Sequence, residues 1–297
     1  MKRAVWLIET GLSILLSIPL AVLPLKWALK AGEVLGLLLF YLWGSRRRIA
    51  IGNLAKTVAV HALTIPVPVE AAIRDNFRNL GRSLAEVIKI YFGLGRKIID
   101  GVHLEGIEHL QAARAKGKGV LLITGHCGNW ELLALSASVR FSPISIVARP
   151  VNNPYINKFV ERTRKKYGNS VIYKKNALKS IMQGLKNNDS IGILMDQAVI
   201  SEEGFVIDFL GRGAWTTKMP ALIARKTGAS VIPAFIHREK DGHKIKLHPE
   251  IELSGDDDKE KALKADTERF SSFIEAYIRE HPAEWLWIHR RWKRVED

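Results

Sequence analysis

Gly119-Val120-Leu121-Leu122-Ile123-Thr124-Gly125-His126-Cys127-Gly128-Asn129-Trp130-Glu131 decides the architecture of the chain. Residues 119–124 are an unbroken run without polar alternation, too short for a helix, as a strand buried on both faces requires. Polar and reactive side chains follow at once, and an apolar helical pattern begins at Glu131. A buried strand that enters a helix through a polar loop is the unit of an α/β sheet, and ligands bind such sheets at the carboxyl ends of the strands.

The same alternation continues on both sides of this unit. Further strands are expected at 145–148, 170–173, 190–195, 230–237 and 245–250, with helices at 131–139, 154–167, 177–186, 218–226 and 259–280. The expected fold is therefore α/β, a mixed and mostly parallel sheet flanked by helices. Ahead of it, residues 49–99 read as two amphipathic helices, with Asn76, Arg78, Arg82 and Glu86 interleaved among Phe77, Leu80, Leu84, Val87 and Ile88. Ile65-Pro66 and Val67-Pro68 mark the loop between them.

The N-terminus has a different character. Residues 4–23 carry a single charge, Glu9, and are long enough for a hydrocarbon core of about 30 Å. Pro19 and Glu9 weaken the segment as a free-standing span. A second apolar helix at 27–43 is shortened by Lys30 and Glu33 and suits the membrane interface better than a crossing. Residues 1–45 are expected to form membrane-anchoring or interfacial helices and 46–297 the α/β domain. Buried helices of a soluble protein are the competing reading, and a cleaved signal peptide is disfavoured because no small-residue cleavage pattern follows.

Among the 297 residues, 45 Lys and Arg outnumber 30 Asp and Glu, an excess that suits nucleic acid, anionic lipid or an acidic protein. Lys2, Arg3, Lys26, Lys30, Arg46, Arg47 and Arg48 border the apolar segments, which favours a membrane surface. No nucleic-acid reader motif is recognisable. Cys127 is the only cysteine, so no disulfide framework is available.

His126 and Glu131 are five residues apart, so on a regular helix they would point roughly 140° away from each other. Gly125 and Gly128 permit a non-helical turn instead, in which Glu131 could orient the imidazole and leave its other nitrogen free to take a proton from an alcohol. That arrangement is the base and orienter of a catalytic triad without an enzyme nucleophile, so an acceptor hydroxyl would attack directly. Cys127 also invites a covalent thioester route, although neighbouring side chains ordinarily point apart. A zinc site from His126, Cys127 and Glu131 lacks a third ligand at a usual spacing. Asp196 and Gln197 follow the apolar run 191–195 and so lie at another strand's carboxyl end, where headgroup binding, loop bracing and a simple cap are all open. Asn129 and Trp130 could shape the donor site, though packing suffices for Trp130. The alternation of aromatic and basic residues at 285–292 suits a membrane-interface or domain-packing strip.

Several blocks together resemble the late acyltransferases of lipid A biosynthesis in Gram-negative bacteria, within the larger glycerolipid acyltransferase group. They are 48–54 (RIAIGNL), 76–86 (NFRNLGRSLAE), His126 with Glu131, Ala148-Arg149-Pro150 with Asn152-Asn153-Pro154, Met195-Asp196-Gln197, Phe209-Leu210-Gly211, Val231-Ile232-Pro233 and 284–292 (EWLWIHRRW). The resemblance implies acyl transfer from an acyl carrier protein or coenzyme A thioester to a lipid hydroxyl at the cytoplasmic face of the inner membrane, with no metal or organic cofactor and no nucleic acid. It implies His126 as general base, Glu131 as its orienting partner, and Arg149 as a phosphate or oxyanion ligand. Asp196, Gln197 and Asn129 are the further candidates for substrate binding.

Overall fold

The strand expected to be buried, β2 (Val120–Thr124), is buried along its whole length. Strand geometry sends alternate side chains to opposite faces. Leu121 and Ile123 accordingly enter one apolar core and Val120 and Leu122 another. A continuous hydrophobic strand is what a sheet covered by helices on both faces requires.

The computed structural model describes residues 2–173 and 177–295. In chain order the elements are α1 (Lys2–Val22), α2 (Leu25–Leu42), α3 (Gly44–Ala59), α4 (Val69–Tyr91), α5 (Arg96–Asp100), β1 (Val102–Glu105), α6 (Ile107–Ala115), β2, α7 (Trp130–Arg140), β3 (Ile144–Ala148), α8 (Pro154–Lys166), β4 (Ser170–Tyr173), α9 (Ala177–Lys186) and β5 (Ser190–Leu194). Then come β6 (Gly204–Phe209), β7 (Arg212–Thr217), α10 (Met219–Thr227), β8 (Ser230–Glu239), β9 (Gly242–Leu247) and α11 (Lys259–Glu280). The main sheet has seven strands in the order β1-β9-β8-β2-β5-β3-β4. Every pairing in it is parallel except β8 with β9. β6 and β7 form a separate antiparallel hairpin. Neither this hairpin nor β1 and α6 is expected from the sequence pattern.

α2 is not a loose appendage. Its Gly32 and Gly36 lie directly against α4, where a Cβ on Gly36 would meet the Phe77 carbonyl oxygen at 2.1 Å and one on Gly81 would meet that of Gly32 at 2.0 Å. Only glycine permits helix backbones to approach so closely. α1, by contrast, buries only Leu20 and Ala21 and exposes Ile8, Leu12, Leu15 and Leu16. It is long and apolar enough to cross a membrane. Its first turns dock on α8 and the Asn153 that caps it: Arg3 Nε donates to Tyr155 Oη at 3.0 Å, and the Asn153 amide donates to the Trp6 carbonyl at 2.9 Å and to Glu9 at 3.1 Å. The charge that weakened the segment as a free-standing span is thus held by the domain.

Candidate active site

Register places the first pair of functional side chains. Thr124 at the end of β2 pairs with Leu194 at the end of β5, and Met195 N–H donates to the Thr124 carbonyl at 3.1 Å. Two residues beyond each strand end, His126 and Asp196 therefore stand side by side. The His126 ring has Nδ1 2.8 Å from Asp196 Oδ1. The other carboxylate oxygen accepts the His126 backbone N–H at 2.9 Å and the Trp285 indole N–H at 2.8 Å. Asp196 is 2% exposed. Burial pushes its carboxyl up, but the His126 charge and these hydrogen bonds outweigh burial and hold it well below the usual carboxylate range. Burial likewise opposes the charged imidazole, and Asp196 prevails, keeping His126 above its ordinary 6.5. The Nε2 side lies toward the exposed Gln197 amide, 3.3 Å away, with the Trp130 ring edge-on at a centroid distance of 5.1 Å.

Glu131 does not meet His126. Asn129 caps α7, its side chain accepting from Leu132 N–H at 3.2 Å, so Glu131 sits in a regular first turn and its side chain follows the helix away from the loop. Its Oε1 accepts from Tyr91 Oη at 2.6 Å and Arg164 Nε at 2.8 Å, and its Oε2 from Arg164 Nη2 at 2.7 Å. Burial and the Glu131 charge push the Tyr91 phenol far up. Burial opposes the Arg164 charge, yet Glu131 raises that guanidinium further above its usual value. The expected His–Glu pair is replaced by a His–Asp pair and a separate Glu–Arg–Tyr cluster that joins α7, α8 and α4.

Asn129 is also not where a substrate contact requires it. It is buried, and its amide donates to Glu86 Oε2 at 2.9 Å. Glu86 is the centre of a network absent from the sequence reading, accepting Arg238 Nη1 and Nη2 at 2.6 and 2.9 Å and lying 2.9 Å from His243 Nε2. Despite burial, those partners hold Glu86 down at about 2. Arg149 is exposed at the carboxyl end of β3, the strand beside β5, and has no hydrogen bond or ion pair among the described residues. Cys127 is 1% exposed, and burial raises its thiol well above the usual value. Among the described residues no group of three His, Cys, Asp or Glu could hold a metal ion.

The strip at 285–292 is a packing element. Trp285, Trp287 and Trp292 are buried, and Arg291 is fully buried with its guanidinium 4.4 Å from the Phe209 ring centroid and donating to the Trp215 carbonyl at 2.6 Å. Trp285 bridges Cys127 in antiparallel sense, with Gly128 N–H donating to the Glu284 carbonyl at 2.7 Å and Leu286 N–H to the His126 carbonyl at 3.1 Å. Gly128 adopts φ +55°, and a Cβ there would lie 2.0 Å from the Ile236 carbonyl oxygen. The turn is therefore open to glycine alone.

The family described as bacterial lipid A biosynthesis acyltransferase matches residues 3–294. The lipid A biosynthesis palmitoleoyltransferase of Escherichia coli K12 is 26% identical over 75% of this chain and 72% of its own length. The lauroyltransferase of the same strain is 28% identical over 73% and 70%. A phosphatidylinositol mannoside acyltransferase of Mycobacterium tuberculosis is 25% identical over 81% and 75%. Among solved structures, the 1-acyl-sn-glycerophosphate acyltransferase of Thermotoga maritima superposes with a TM-score of 0.37 at 17% identity, over 82% of this chain and 97% of its own.

Proposed function

The chain belongs to the bacterial lipid A biosynthesis acyltransferase family, and from that premise we propose that it moves a fatty acyl chain from an acyl carrier protein or coenzyme A thioester to a hydroxyl of a lipid A precursor, with His126 as general base. The observation that carries this reading is the His126 ring held at Nδ1 by a buried carboxylate, 2.8 Å away, with Nε2 on the open side.

Nε2 takes the hydroxyl proton as the acceptor oxygen attacks the thioester carbonyl. The tetrahedral oxyanion then collapses, the carbon–sulfur bond breaks, and the imidazolium returns the proton to the departing sulfur. Asp196 fixes the tautomer and steadies the imidazolium. No acyl-enzyme is needed, and a buried thiol kept protonated makes a poor nucleophile. Arg149 stands on the neighbouring strand's carboxyl end and takes an acceptor phosphate, for which a planar guanidinium is suited. Glu131 acts by fixing Arg164 and hence the position of α8 against α4 and α7. The exposed apolar face of α1 holds the enzyme on the cytoplasmic face of the inner membrane, where the donor and a lipid acceptor meet. The basic surface, net +15, speeds capture of an acidic carrier protein in a salt-dependent manner.

The test is acyl transfer by membranes carrying the wild type or His126→Ala, supplied with labelled carrier-protein thioester and a lipid A precursor. The wild type should form product and the variant should lose about 10³-fold or more. Full activity in the variant would remove His126 as base. Product only with phosphatidylinositol mannoside or lysophospholipid would reassign the acceptor.

A further inference from the structure

We propose that the segment Glu284-Trp285-Leu286 is a positioning device of the acyl-transfer site, in which the Trp285 indole N–H sets the Asp196 carboxylate and through it aims the His126 ring. This rests on the reading of His126 as the base and adds a residue that touches neither donor nor acceptor. The segment grips both members of the pair at once. On the histidine side it runs antiparallel to the loop, Leu286 N–H donating to the His126 carbonyl at 3.1 Å and the Glu284 carbonyl accepting Gly128 N–H at 2.7 Å. On the aspartate side the indole N–H donates to Oδ2 at 2.8 Å.

The terminal torsion of an aspartate is broad and roughly two-fold, so an unrestrained carboxylate can present either oxygen to its partner. Here Oδ2 is held by two N–H groups, the indole and the His126 backbone, which leaves Oδ1 to the imidazole. Indole is a donor only, so it cannot turn and accept from a protonated Asp196. It therefore favours the ionised carboxylate and one orientation of it. The segment is in turn pinned from behind. The Asn76 amide donates to the Ala283 carbonyl at 2.9 Å and the Trp285 carbonyl at 2.7 Å, and the Asn53 amide to the Trp287 and His289 carbonyls at 2.9 and 2.8 Å. Trp287 is as deeply buried as Trp285, yet its indole donates to the Pro282 carbonyl at 2.7 Å, away from the reacting pair. It is an internal control of the same size and burial.

Trp285→Phe keeps an aromatic ring in the core and removes the N–H. The expected result in the transfer assay is a kcat loss of about tenfold, about 1.4 kcal/mol, with KM for donor and acceptor within about twofold. The acid limb of the pH–rate profile should move to higher pH, because a carboxylate that has lost one donor draws the imidazole proton more strongly. Trp287→Phe should leave the limb in place whatever it does to thermal stability. Should Trp285→Phe fail to fold, Asn76→Ser loosens the segment from outside the site and should lower kcat with KM retained. Trp285→Phe with wild-type kcat and an unmoved limb, or equal limb shifts in both tryptophan variants, would overturn the proposal. Asn76→Ser with unaltered kcat would do the same where it stands in for Trp285→Phe. A wild type that forms no product while folded would instead sink the functional reading beneath it, so the two failures are distinct.

Discussion

The loop from His126 to Glu131 is held at its two ends by two carboxylates of opposite character, one buried and one half-buried. At one end Asp196 faces an imidazole, a partner that gains and loses a proton near neutrality. At the other, Glu131 faces the Arg164 guanidinium in a two-bonded pair, with a phenol completing the shell. Arginine does not give up its proton in proteins, so the second pair cannot move protons and serves only to fix geometry. Two acids equally near the same short loop thus divide into a proton device and a brace, and the difference lies in their partners.

The largest effect expected from this division is on Asp196. Asp196→Asn preserves the shape of the site but no longer enforces the productive tautomer, and kcat should fall about 10³-fold in steady-state transfer with the fold intact. Glu131→Gln should cost about tenfold in kcat, with the acid limb of the pH–rate profile where the wild type has it. Its chief cost falls on stability, about 2 kcal/mol in a urea titration, because the half-buried Arg164 is left with a weakened partner. A Glu131→Gln variant as inactive as Asp196→Asn but no less stable than the wild type would give Glu131 a share in the proton transfer.

Stability against pH separates the acid-sensitive groups from the imidazole. Asp196 and Glu86 lie below their ordinary 3.8 and 4.5, so their contribution is complete above those values and is lost as pH falls through the folded ones. His126 lies above 6.5, so its contribution is complete below that pH and is lost as pH rises through its folded value. Unfolding midpoints should therefore decline steeply below about pH 4, and Asp196→Asn should flatten that decline. A decline of wild-type steepness in Asp196→Asn would remove Asp196 from the acid-sensitive groups. The smallest effect is expected at Arg149, which has no partner within the described fold: Arg149→Gln should raise acceptor KM about tenfold and leave the melting temperature unchanged. A lowered melting temperature with normal KM would make Arg149 structural.

The contrast also explains what could be read along the chain. β4, α9 and α11 match the elements expected from periodicity, because each carries a strong local pattern and clear flanking signals. The β6–β7 hairpin does not announce itself, since Leu210 occupies φ +54° where asparagine or aspartate is the usual signal. β1 and α6 are short, with weak patterns of their own. In the site, spacing points to Glu131 as the partner of His126 because sequence distance is the only ruler along a chain. Asp196 lies seventy residues away, and only the pairing of Thr124 with Leu194 brings it abreast. Asp196 is legible as a polar residue at a strand's end, but its role is not. The Glu86 cluster and the grip of Trp285 depend wholly on tertiary contacts, so no local pattern could reveal them.

The most direct measurement of the division is the titration of the His126 imidazole, followed by nitrogen NMR on selectively labelled protein, in the wild type, Asp196→Asn and Glu131→Gln. The wild-type midpoint should lie above 6.5, fall in Asp196→Asn and stay unchanged in Glu131→Gln. A midpoint that falls in Glu131→Gln and stays fixed in Asp196→Asn would return Glu131 to the place of orienting partner.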